Sequence, residues 1–378
     1  MPQFNAGNII KKLRESKNVS QKKACERVCS EREFQRIEKG ETLPTKFVFC
    51  GILKNLDADP EKYLAEFGAD EMLGLEALGR LIRELRSSKD ITQDELCKGI
   101  CSKYEMSRIE NGKTSPSQRV LRLIMERLGE SPNMMFNSLV TSKEKRSHET
   151  KDKIRSILKE RNKEMDARAL KLIEELDCQD KVKSSDDRQF IFMARAMLAG
   201  NARDFDGVLK YATEALKITI PEFDEDKTGT YALTFDEIRL LNMLAVAHSQ
   251  SSMVKSVEIL FSLKAHLDQD YIYGEERGKI YLDVLLNITK CLGHLKDFER
   301  CMLLCDEGNE ICIKRGDAYH RPRFMFNKSQ SLLEIGQIKE GVALAKDAYA
   351  LFRLHNYDND AMKMKSYLEE EYGITIQA

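Results

Sequence analysis

The chain has only seven prolines in 378 residues, and few of its segments alternate apolar and polar residues with period two. The first leaves long helices uninterrupted, and the second argues against strands. No apolar run approaches the roughly 20 residues that span a bilayer. The N-terminus has no apolar region of the signal-peptide kind either, so a soluble, cytoplasmic protein with no membrane contact is expected. Also missing are any CxxC pair, any Cys/His cluster with zinc spacing, any P-loop, and any GxSxG or HExxH motif. No metal, no cofactor and no enzymatic activity are therefore expected, and the six histidines are scattered.

What is present is helical periodicity. Apolar residues recur at i, i+3 and i+4 almost throughout, so the chain reads as all-α. The ten cysteines include three pairs at same-face helical spacing, Cys25/Cys29, Cys97/Cys101 and Cys301/Cys305. They read as small buried apolar residues rather than as a disulfide framework. The formal net charge of −1 hides a slight tilt: 24 Lys+Arg against 21 Asp+Glu before residue 140, and 37 against 41 after it.

The first 140 residues contain two similar units. In the second, LGRLIREL (Leu78 to Leu85) is an amphipathic helix, and Thr92 with Glu95 forms a capping box ahead of a short helix. Cys101 and Ser102 make a tight turn, a third helix runs to about Glu110, and Asn111-Gly112 ends it with a left-handed cap. A fourth helix follows Ser115-Pro116. The first unit repeats this order, since Gln93 stands 72 residues after Gln21 and Gly112 stands 72 after Gly40.

The third helix of the second unit, in ICSKYEMSRIENGK (Ile100 to Lys113), has the build of a reading helix. Met106 and Ile109 face inward, while Lys103, Tyr104, Ser107 and Arg108 face outward with groups that hydrogen-bond base edges in the major groove. Gln93 is expected at a phosphate, and Lys113 beyond the cap is expected near the DNA backbone. The matching set in the first unit is Gln21, Arg32, Gln35 and Arg36. Its face is more acidic, with Glu31 and Glu33 near the phosphates, so two readings stand for it: DNA contact, or a dimerisation and packing module.

Residues 141–187 are strongly charged and read as a solvated linker helix, a docking helix and a loop, KSSDD, before the next domain. Beyond them lies a second repeat. LNITKCLGHL from Leu286 aligns with FNKSQSLLEI from Phe326 at a shift of 40, LNMLAVAHSQ from Leu241 fits at a shift of 45, and a looser copy starts at Met193. Each copy is a helical hairpin that cannot bury its apolar face alone, so the copies are expected to stack into a tetratricopeptide-like α-solenoid. The alignment brings Asn242, Asn287 and Asn327 to one position. Asparagine is a poor helix former, and its amide pairs with both the N–H and the C=O of an extended peptide, so these three are candidate peptide-binding residues. Arg323, near the third, is a candidate for a peptide carboxylate.

The run TQ-x2-L-x3-I-C-S-x4-S-R-I-E-N-G-K-x2-P resembles the helix-turn-helix of the Xre/Cro class of repressors. The short turn ICS, together with the solenoid, resembles more narrowly the Rgg/PlcR-type peptide-responsive transcription factors. The resemblance covers most of the chain, although a single helix-turn-helix is the norm there and the tandem copy departs from it. It implies domains at 1–68 and 69–140 (two helix-turn-helix units), 141–187 (linker and docking helices) and 188–378 (solenoid). It also implies double-stranded DNA and a short linear peptide as partners, and a homodimer. The alternative is a non-DNA adaptor that uses its N-terminal units for dimerisation.

Overall fold

The computed structural model describes the chain except residues 1–5, 27, 41–43, 45, 60–62, 64–68, 131–141, 161, 179–183, 270–274 and 376–378. It divides into two compact units, Met1–His148 and Glu149–Ala378. Among the described residues every regular element is a helix, and none is long and apolar enough to cross a membrane.

The first unit holds α1 (Ala6–Ser16), α2 (Gln21–Ala24), α3 (Glu31–Glu38) and α4 (Lys46–Asn55), then α5 (Ala69–Ser88), α6 (Gln93–Cys97), α7 (Lys103–Glu110) and α8 (Gln118–Arg127). It has two separate cores whose members correspond at the 72-residue offset. Ile10, Phe34, Ile37 and Ile52 build the first core, and Ile82, Met106, Ile109 and Ile124 build the second. Ser30 and Ser102 cap α3 and α7, and the capping box at Thr92 and Glu95 is present. Gly40 and Gly112, at φ 73° and 66°, adopt the left-handed conformation expected after each reading helix.

The second compact unit takes up α9 (Ser142–Lys159) from Glu149 on, followed by α10 (Lys163–Cys178). The far half of α9 is not solvated: Ile154, Ile157 and Leu158 are buried in one core with the solenoid helices, as are Ala169 and Ile173 of α10. The apolar residues spaced along that charged stretch explain the difference from the expected solvated linker. The hairpins follow: α11 (Ser185–Asn201) with α12 (Phe205–Thr219), α13 (Phe235–His248) with α14 (Met253–Gln269), α15 (Glu275–His294) with α16 (Phe298–Arg315), and α17 (Arg321–Glu334) with α18 (Ile338–Leu354). Then α19 (Asp358–Tyr372) covers the last apolar face. The expected loop at KSSDD is instead a helix start, because the Ser184 hydroxyl accepts from the Asp187 N–H and caps α11. The first helices of successive hairpins, α13, α15 and α17, pack against one another and form a continuous wall.

Candidate nucleic-acid interface and solenoid wall

A buried ion pair positions α7. The Arg86 Nε and Nη2 donate to the two Glu110 oxygens at 2.7 and 3.1 Å, and Gln93 Nε2 donates to Glu110 at 2.7 Å. Burial pushes the Glu110 carboxyl up, but the bonds from Arg86 and Gln93 outweigh it and hold the group below the ordinary carboxylate range. The first unit repeats the arrangement: Arg14 Nε and Gln21 Nε2 each donate to Glu38 at 2.6 Å. Both glutamines thus tie their motifs together from within. An amide N–H of Gln93, and likewise of Gln21, is committed to a buried carboxylate that joins one helix of the motif to the next.

On α7, Lys103 and Tyr104 are exposed, while Ser107 and Arg108 are half-buried. Tyr104 is 72% exposed. Lys103 Nζ donates to Asp94 at 2.8 Å, with both side chains largely exposed. Ser107 accepts, through its carbonyl at 2.7 Å, from the Asn111 amide, which anchors the C-terminal turn of α7. Arg108 is held more fully: Nε donates to Thr114 Oγ1 at 2.8 Å, Nη1 to the Tyr104 hydroxyl at 3.5 Å and Nη2 to the Lys113 carbonyl at 3.4 Å. Its Nη2 also meets both Glu33 oxygens, at 3.1 and 3.3 Å. Lys113 itself is exposed. On α3, Arg32 and Gln35 are exposed, Gln35 donating to Gln21 at 3.4 Å, while Arg36 is half-buried.

Both turn cysteines are poor thiolates. Burial, with Glu33 nearby, pushes Cys29 up to about 12, and burial, with Glu105 nearby, pushes Cys101 up to about 11. Neither has the low pKa of a redox-sensing thiol.

On the solenoid wall the three asparagines part company. Asn287 Nδ2 donates to Asn242 Oδ1 at 3.0 Å, and both residues are half-buried. Asn327 is buried and donates to Thr289 Oγ1 at 2.9 Å, so its amide serves the packing between α15 and α17. The sequence register is equal at all three positions, but the hydroxyl of Thr289 gives the third an internal partner. Arg323 is a packing residue as well: it stacks 3.7 Å from the Tyr319 ring centroid and pairs with Asp360 and the Tyr319 carbonyl. A chain of charges beside the asparagines was not foreseen. Arg155 of α9 meets Asp236 at 3.3 Å, Asp236 meets Arg239 at 3.0 Å, and Arg239 meets Glu276 at 2.7 Å. Only the i, i+3 pair Asp236/Arg239 left a trace in the sequence.

Residues 77–135 match the family model of a helix-turn-helix domain. No curated protein matches the sequence. Among solved structures, PlcR of Bacillus thuringiensis in complex with the peptide PapR7 and DNA is 18% identical, covers 78% of this chain and 98% of its own, and has a TM-score of 0.48. ComR of S. thermophilus in complex with DNA and its signalling peptide ComS is 16% identical, covers 76% and 97%, and has a TM-score of 0.44. The SHP pheromone receptor Rgg2 of Streptococcus dysgalactiae is 16% identical, covers 78% and 99%, and has a TM-score of 0.41.

Proposed function

We propose that the protein is a DNA-binding transcriptional regulator whose solenoid binds a short linear peptide, and that it acts as a homodimer in the cytoplasm. The observation that carries the reading is α7. It lies within the segment that matches a helix-turn-helix domain, is held from beneath by buried Glu110, and turns Lys103, Tyr104, Ser107 and Arg108 outward. A guanidinium pairs with guanine acceptors, and hydroxyls and ammonium groups serve base edges or phosphates. Lys113, just past the cap, suits a phosphate. The first unit, with Arg32, Gln35 and Arg36 on the corresponding helix, is a second helix-turn-helix in this reading, and the domain limits are 1–68, 69–140, 141–187 and 188–378.

The peptide site is the wall of α13 and α15. Asn242 and Asn287 are half-buried and linked, which leaves an amide edge of each for a peptide backbone. The charge chain through Arg239, Asp236 and Arg155 runs from that wall to α9, next in sequence to the DNA-binding unit. Peptide binding regulates DNA binding if the peptide prefers one arrangement of the chain, and a coupling of about 1–3 kcal/mol suffices.

The test is selection of duplexes from a randomised pool, followed by titration across salt. A regulator contacting several phosphates loses affinity steeply between about 50 and 200 mM salt. Failure to enrich any duplex removes the reading.

A further inference from the structure

The contact between Arg108 and Glu33 joins the outward face of α7 to α3 of the preceding unit. Its two side chains are 29% and 21% exposed, so it is largely shielded from water. Among the described residues the Glu33 carboxylate meets Arg108 rather than a side chain of its own motif, where its backbone N–H donates to Ser30. Its counterpart in the second unit, 72 residues on, is Glu105, and the counterpart of Arg108 is Arg36. The bond therefore runs between non-equivalent positions, from an acidic first turn to a basic last turn. Cys29, in the turn before α3, also lies close enough to Arg108 to feel its charge.

Arg108 sits where a base-reading arginine would sit, and the carboxylate on its Nη2 occupies the place of an acceptor on DNA. The major groove, about 12 Å wide, admits a single helix. A neighbouring helix that touches Arg108 would have to lie inside the groove with it, so this contact and a bound duplex exclude one another. Glu31 adds a second carboxylate, this one exposed, to the same turn of α3.

We propose that the first unit is an intramolecular cover for the reading helix of the second: Glu33 holds Arg108 in place of DNA, and DNA binding requires the two units to part. This rests on the reading of α7 as a DNA-contacting helix. A chain populating an open form only part of the time binds with its intrinsic affinity divided by that fraction, so weakening the contact raises DNA affinity without adding a contact to DNA.

The experiment compares the full-length protein with Glu33→Gln and Glu31→Gln, using duplexes selected from a randomised pool by each protein and fluorescence anisotropy at fixed salt. Both substitutions remove one negative charge from the same turn, but only Glu33 touches Arg108. Glu33→Gln should bind about three- to tenfold more tightly than wild type, and Glu31→Gln less than about twofold. Amide exchange across residues 103–110 should also quicken in Glu33→Gln alone. Equal gains for both variants would make the effect general charge repulsion and overturn the cover, as would unchanged affinity in Glu33→Gln. If neither wild type nor variant enriches a duplex, the DNA-binding reading itself fails and the cover with it.

Discussion

Arg86 and Glu110 lie 24 residues apart and meet through two hydrogen bonds, with the Glu110 side chain fully buried. The pair fastens the first helix of the second unit to the end of the reading helix, and Arg14 with Glu38 does the same one unit earlier. An unpaired carboxylate at that depth is costly, so the pair and Gln93 must be kept together.

Removing one partner should therefore be worse than removing both. Arg86→Leu alone is expected to cost about 3–5 kcal/mol, because it takes the bidentate cation from buried Glu110 and leaves it Gln93 and the more distant Arg83, whereas Arg86→Leu with Glu110→Leu costs less. Urea denaturation followed by amide exchange in residues 78–128 checks this. An unchanged stability in the single variant would contradict it.

The same pair sets an acid limit. The Glu110 carboxyl is held below its ordinary value of 4.5 by Arg86 and Gln93 despite burial. A depressed folded pKa contributes stability that is present above the unfolded value and is lost as pH falls through the folded one. The second core should begin to weaken below about pH 4.5, and Glu110→Gln should flatten that part of the profile in a pH series of thermal melts.

Two glycines predict opposite outcomes. A Cβ on Gly79 of α5 would meet the Ile109 and Glu110 carbonyl oxygens at 2.5 and 2.7 Å, both backbone atoms of the reading helix. Gly79→Ala is expected to cost about 1–3 kcal/mol and to weaken DNA binding by displacing α7. Gly293, in the last turn of α15, has nothing within 4 Å of such a Cβ. Gly293→Ala should be neutral or stabilising by up to about 1 kcal/mol, read from melting of the solenoid.

The asparagines should separate stability from binding. Asn327→Ala removes a buried donor to Thr289 and should cost about 1–3 kcal/mol in solenoid stability. Asn287→Ala, at a half-buried position, should cost less stability and more peptide retention when a synthetic peptide pool is passed over the immobilised protein. Equal retention by Asn287→Ala and wild type would remove Asn287 from the peptide site.

Much of this architecture was legible because helical periodicity and two repeats are properties of spacing alone. The 72-residue offset carries core, caps and the left-handed glycines together, since each answers to local backbone geometry. Partner choice was not legible. Only the tertiary fold brings Glu110 and Glu38 within reach of the Gln93 and Gln21 amides. Asn327 shares its register with Asn287, yet a hydroxyl one hairpin away decides its role. Arg323 lies on α17, one turn ahead of Asn327, but falls among Tyr319, Phe352 and Tyr357, which only the stacking of α17, α18 and α19 brings together.

The most direct measurement of the central claim is the binding of wild type and Tyr104→Ala to a selected duplex and to the same duplex scrambled. Tyr104 projects into solvent from α7 and contributes nothing to the core, so the variant keeps its fold. If the outward face of α7 reads DNA, preference for the selected duplex should fall at least about fivefold while salt-dependent binding to the scrambled one remains, as loss of a base-edge contact of about 1–3 kcal/mol requires. A variant that keeps the full preference of the wild type would contradict the account.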